Sequence, residues 1–100
     1  MGLVVTSVSG GLGNQLFQYI AGETLARRWN VPHYVDASSF NSYSYHHDFE
    51  LLRLFPDINL ASYALLSLSK SSATVDENSI RPYLGRANFP TFCEVFHLSG

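Results

Sequence analysis

Cysteine is nearly absent from this chain, and charge is scarce. The single cysteine, Cys93, excludes a disulfide within the 100 residues. No Asn-x-Ser/Thr sequon occurs, and both absences point to a reducing, cytosolic setting. Charged residues make up 14%, against about 25% in ordinary soluble proteins. A domain this small exposes a large share of its surface, so the deficit implies that other protein covers part of it. The net charge of −2, with only six basic residues, all scattered, gives no electrostatic basis for binding nucleic acid or an anionic membrane. No transmembrane run is present, and the N-terminus lacks the basic start and long apolar stretch of a signal peptide. The opening Met-Gly-Leu-Val-Val-Thr fits the loose pattern for N-myristoylation, but the stretch from Leu3 reads better as a buried strand.

What the chain does contain is apolar: 46% hydrophobic and 14% aromatic residues, enough to build the core of one small domain. Leu3 to Ser9 is β-branched and largely apolar, as a strand covered on both faces is. Glycines end it. From Gln15 the period changes: Leu16, Phe17, Ile20, Ala21, Leu25 and Trp29 keep to one broad helical face, with Glu23, Arg27 and Arg28 mostly opposite. Asn14 stands where an N-cap belongs, and Asn30 followed by Pro32 ends the helix. His33 to Phe40 reads as a second short strand running into a turn. Strand, tight loop, helix, strand within about 35 residues predicts a βαβ unit with parallel strands.

Beyond Phe40 the pattern thins. Asn41 to Asp48 reads as a polar, aromatic-dotted loop. Phe49 to Asp57, "FELLRLFPD", fits a short helix or an extended segment. Asn59 is placed to cap a helix over Leu60 to Leu68, and Ser69 to Ser79 reads as a surface linker. The last segment, Ile80 to Gly100, gives no readable period.

The chemistry concentrates in "GGLGNQ", Gly10 to Gln15. A loop leaving the carboxyl end of a parallel strand and entering a helix presents several unpaired N–H groups, backed by the helix dipole. Gly10, Gly11 and Gly13 permit positive φ and let a ligand approach the backbone. Asn14 and Gln15 add neutral amides suited to sugar hydroxyls or phosphate oxygens. The dinucleotide fingerprint is excluded, because its third glycine position holds Leu16; so is a P-loop, because no Lys-Ser/Thr follows the glycines. Set against these readings is a plain strand-to-helix turn.

The longer string "GGLGNQLFQYIAGETLARRWNVPHYVDASSF", Gly10 to Phe40, resembles the N-terminal signature of the α-1,2-fucosyltransferases of glycosyltransferase family 11. "FELLRLFPD" is similar to that family's next landmark, and the likeness thins beyond Asp57. The resemblance implies a GT-B enzyme, two Rossmann-like α/β halves facing across a cleft. It implies GDP-fucose as donor, no metal or other cofactor, and inverting transfer to the 2-hydroxyl of a galactose in a glycan. Residues 1–100 would then be a truncated N-terminal half. Its substrate-binding residues would be Gly11 and Gly13 through backbone donors, Asn14 as the principal side chain, and Gln15 as a secondary one. The protein would be cytoplasmic, with peripheral membrane association. The absence of any Asp-x-Asp pair agrees with a metal-free reaction. The family's second hallmark, His-x-Arg-Arg-x-Asp, does not occur; Arg27-Arg28 follows no such histidine. No catalytic residue is therefore identifiable, and the chain alone is expected to be inactive.

Other features have simpler readings. His46-His47-Asp48 reads as a solvated turn rather than a metal site, and Cys93 as core rather than nucleophile. Asp36, at a strand end, either touches a ligand or caps the turn through Ser38 and Ser39. Trp29 and Tyr19 read as helix packing, Tyr43 and Tyr45 as candidates for stacking on a sugar ring. Two other functions fit the same residues: a stand-alone nucleotide- or phosphate-binding module, and an interaction fragment without a ligand.

Overall fold

A computed structural model describes residues 2–41, 50–61, 72–76, 78–90 and 95–99. Four strands form one all-parallel sheet: β1 (Leu3–Ser7), β2 (His33–Asp36), β3 (Ser72–Asp76) and β4 (Val95–Ser99), in the spatial order β2-β1-β4-β3. The helices are α1 (Leu12–Trp29) and the single turns α2 (Leu51–Leu54) and α3 (Arg81–Leu84). The unit β1–α1–β2 is a parallel βαβ of the Rossmann-like kind, with Val4 opposite His33 and Ser7 opposite Asp36.

Successive residues of β1 point to opposite sheet faces, yet Val4, Val5 and Thr6 are all buried. That matches the reading of β1 as a strand covered on both sides. On the α1 face, Val4, Val75, Phe96 and Leu98 pack against Leu25, Ala26 and Trp29. Trp29 sets its ring edge-on to Phe96 and Phe89, the geometry that aromatic quadrupoles favour, and its Nε1–H donates to the Arg86 carbonyl at 3.0 Å. A second cluster joins Val8, Val35 and Leu51 beneath Leu16 and Tyr19.

The helix is longer and rotated relative to its sequence reading. It begins at Leu12, and its N-cap is Gly11, not Asn14, which lies in the first turn. Its buried positions are Gln15, Gly22, Leu25, Ala26 and Trp29, whereas Phe17 is 65% exposed and Ile20 54%. The cause is Gly22. Bare of a side chain, it lets the helix press onto Thr6 and His33, and this contact fixes which face looks inward. Asn30 ends the helix as read, in the left-handed region at φ 55°.

Two further readings are corrected. Ser72–Asp76 is not linker but the edge strand β3, with Val75 buried. Its polar residues alternate with Ala73 and Val75, which face the core. Asn59 caps nothing among the described residues. Its carbonyl accepts from the Val35 amide, and the Ala61 amide donates to the Val35 carbonyl, which lays Leu60 alongside β2 as a parallel bridge. Phe49–Asp57 resolves in its described part as the single turn α2. The unreadable last segment holds α3 and the central strand β4. The rest of the segment expected to be a helix over Leu60 to Leu68, most of the 41–48 segment and Cys93 lie outside the described residues.

Candidate functional site

The glycine turn stands at the carboxyl edge of the sheet, directly after β1. Gly10 alone among the three glycines uses a positive φ, 77°, a conformation that costs other residues about 1–2 kcal/mol. Gln15 locks the turn from within. It is fully buried; its Nε2 donates to the Gly10 carbonyl at 2.9 Å and its Oε1 accepts from the Glu50 amide at 3.0 Å. Gln18 Oε1 accepts the Ser9 amide at 2.9 Å. The expectation that Gln15 is a secondary ligand-binding amide is therefore corrected: with no exposed surface, it positions the turn.

The other three candidates face outward. Gly13 and Asn14 are exposed and Gly11 half-buried. The amides of Leu12, Gly13 and Asn14 belong to the first helical turn, which has no preceding carbonyls to receive them. No hydrogen-bond partner for them is found among the described residues. The first turn also carries no acidic side chain, so nothing there offsets the positive end of the helix dipole. Gly13 is the informative one. A Cβ built on it would meet nothing within 4 Å, and glycine inside a helix costs about 1 kcal/mol relative to alanine. Packing among the described residues does not require that glycine.

Beside the turn lies a cleft of about 280 Å³ between α1 and the segment after β3. Asn14, Ser9 and Gln18 supply polar groups at one end, and Phe17, Ile80 and Leu84 apolar walls. No basic side chain lines it among the described residues. Asp76 is also on the wall, but its carboxylate serves its own turn. Hydrogen bonds from the Ser79 hydroxyl and from the Ser79 and Asn78 amides hold it below its ordinary value.

Under α1 runs a buried polar chain that the sequence reading missed. The Glu23 carboxylate can only accept, so His33 Nδ1 carries the proton and donates to it at 3.0 Å. Burial pushes the His33 pKa down, with Glu23 opposing, so the ring is neutral and its bare Nε2 accepts from the Thr6 hydroxyl at 2.8 Å. Burial pushes the Glu23 carboxyl up, but the hydrogen bonds from Arg27 and His33 outweigh it and hold the group below its ordinary value. Tyr19 stacks on His33. Thr6 reaches the first cleft and His33 a second one, of about 360 Å³, between α1 and residues 54–59.

Asp36 takes the capping role: Oδ1 accepts the Ser38 amide at 3.0 Å. Its other oxygen accepts from the Ser7 hydroxyl at 3.3 Å. His46, His47, Asp48, Tyr43 and Tyr45 lie outside the described residues. No cluster of three metal-ligating side chains is found among the described ones, nor any helix long and apolar enough to cross a membrane.

No family model, curated protein or solved structure matches this chain.

Proposed function

We propose that this chain is the N-terminal, sugar-positioning half of an α-1,2-fucosyltransferase of the glycosyltransferase family 11 type, binding GDP-fucose at the β1–α1 turn. The observation that carries the reading is Gly13, a helical glycine at an exposed turn that packing does not require. Such a residue has a purpose if a ligand must come close to the backbone there. The unpaired amides of the first turn suit the diphosphate oxygens, and Asn14 is the side chain placed to hydrogen-bond the sugar or diphosphate. The adjacent cleft, with the Asp76 carboxylate on its wall and no basic side chain among its described lining residues, suits a sugar better than a bare phosphate, which calls for lysine or arginine. The density of the family signature from Gly10 to Tyr19 supports the same reading, and a GT-B partner domain would supply the missing His-x-Arg-Arg-x-Asp arginine for the leaving diphosphate.

Titration followed by amide NMR tests this. GDP-fucose is expected to move the Gly11, Gly13 and Asn14 resonances, GDP less so, and inorganic phosphate little. Equal responses to phosphate and GDP-fucose would favour a plain nucleotide- or phosphate-binding module. No response to any of the three would remove the proposal.

A further inference from the structure

On the sheet face opposite α1, three polar side chains from three adjacent strands meet: Asp36 and Ser7, which end β2 and β1, and His97 from the middle of β4. Ser7 Oγ lies 2.6 Å from His97 Nε2 and 3.3 Å from Asp36 Oδ2. None of this belongs to the glycine turn, which begins at Gly10, three residues after Ser7.

The protons can be assigned. Ser7 has one hydroxyl hydrogen, and the Asp36 carboxylate can only accept. If that hydrogen went to His97, the Ser7 oxygen would turn lone pairs toward the carboxylate. The arrangement that leaves every group paired runs the other way: His97 Nε2–H donates to Ser7 Oγ, and Ser7 O–H donates to Asp36. A neutral imidazole carries one proton, so Nδ1 is bare, and no partner for it is found among the described residues. Burial pushes the His97 pKa below its ordinary value, with the Asp36 charge opposing, so the ring is neutral near pH 7. His97 and Ser7 are each half-buried.

A base with a free nitrogen, its other nitrogen fixed by a hydroxyl and a carboxylate, is the arrangement that general-base catalysis needs. We propose that His97 is the general base of the transfer, oriented by Ser7 and Asp36, and that the acceptor hydroxyl lies against Nδ1. This rests on the reading of the chain as a glycosyltransferase half. The acceptor oxygen forms its bond to the anomeric carbon of the nucleotide sugar as its proton moves to Nδ1. The bond from that carbon to the diphosphate oxygen breaks, and its electron pair leaves with the diphosphate. Asp36, acting through Ser7, stabilises the imidazolium until the proton passes to water.

The test is imidazole ¹⁵N NMR of the full chain. At neutral pH, Nδ1 is expected to show the shift of an unprotonated nitrogen and Nε2 that of a protonated one. Asp36→Asn keeps an oxygen for the Ser38 amide and is expected to weaken proton binding at His97 about tenfold, a one-unit fall in pKa. Methyl β-galactoside is expected to move the Nδ1 resonance. A protonated Nδ1 with a bare Nε2 overturns the proposal; so does an Nδ1 resonance indifferent to the galactoside, or an unchanged pKa in Asp36→Asn. If GDP-fucose moves Gly13 and Asn14 while the galactoside leaves His97 untouched, the base assignment alone fails. If neither compound moves any resonance, the glycosyltransferase reading fails with it.

Discussion

Gly22 lies directly over the hydrogen bond between Thr6 and His33, and a Cβ added to it would overlap both partners. Helix and sheet touch there without any intervening side chain. Gly22→Ala gains up to about 1 kcal/mol in helix propensity but forces α1 away from a packed layer, which costs about 1–3 kcal/mol. Net destabilisation is the expected outcome of urea unfolding. A variant more stable than the parent would mean that the helix sits higher over the sheet than described.

The same contact makes stability depend on pH. His33 is held neutral by burial, below its ordinary pKa of 6.5, so the unfolded chain takes up a proton that the folded one refuses. Stability is therefore complete above about pH 6.5 and falls as the pH drops through the folded value. His97 acts with the same sign. Glu23, lowered from 4.5, adds a separate loss at more acid pH. Urea midpoints measured from about pH 8 to about pH 5 are expected to decline, and His33→Gln to flatten the decline. A slope unchanged in that variant would assign the whole effect to other groups.

Gly10 and Gly13 are expected to behave oppositely. Gly10→Ala places a side chain at φ 77° and against Asn14, and should lower thermal stability. Gly13→Ala meets open space and should hold or raise stability, by up to about 1 kcal/mol. Gly13→Leu, whose Cβ also meets open space, is expected to weaken GDP-fucose binding at least tenfold. Undiminished binding in calorimetry would return Gly13 to the status of an ordinary turn residue.

Gln15 and Asn14, neighbours in the sequence, separate just as cleanly. Gln15→Ala strips buried partners from the Gly10 carbonyl and the Glu50 amide, a loss of about 1–3 kcal/mol. Asn14→Ala, at an exposed position, is expected to change stability by less than about 0.5 kcal/mol. Its effect should fall on ligand affinity. Comparing melting temperature with GDP-fucose affinity for the two variants checks both statements, and a strongly destabilised Asn14→Ala would contradict the assignment.

The first forty residues were legible because local rules and tertiary structure agree there. A β-branched run, a glycine stop and the Asn30–Val31–Pro32 ending each act over a few residues, and the βαβ unit follows from them. The helix face was misread because apolarity ranks Phe17 and Ile20 above Gly22, whereas close approach ranks them below it. The spacing of Gln15, Gly22 and Trp29 is the signal that would have given the right face. β3 was hidden by its edge position, where Ser72 and Thr74 imitate a loop. β4 pairs with β1 from about ninety residues away, and no local pattern reports a partner that distant. The Ser7–His97 contact depends on that pairing, so it too was invisible in the sequence, while the outward turn at Gly13 and Asn14 was not.

The pairing of Leu3 with Val95 also sets the order of events on the ribosome. β1 must wait for β4 before its second edge is satisfied. Until residues 95–99 emerge, β1 and α1 can dock with β2 but leave a raw backbone edge in the middle of the future sheet. Formation of this domain is thus a late, all-at-once step with slow, long-range closure. The interval before it is when the nascent polypeptide is most exposed to mispairing with its neighbours.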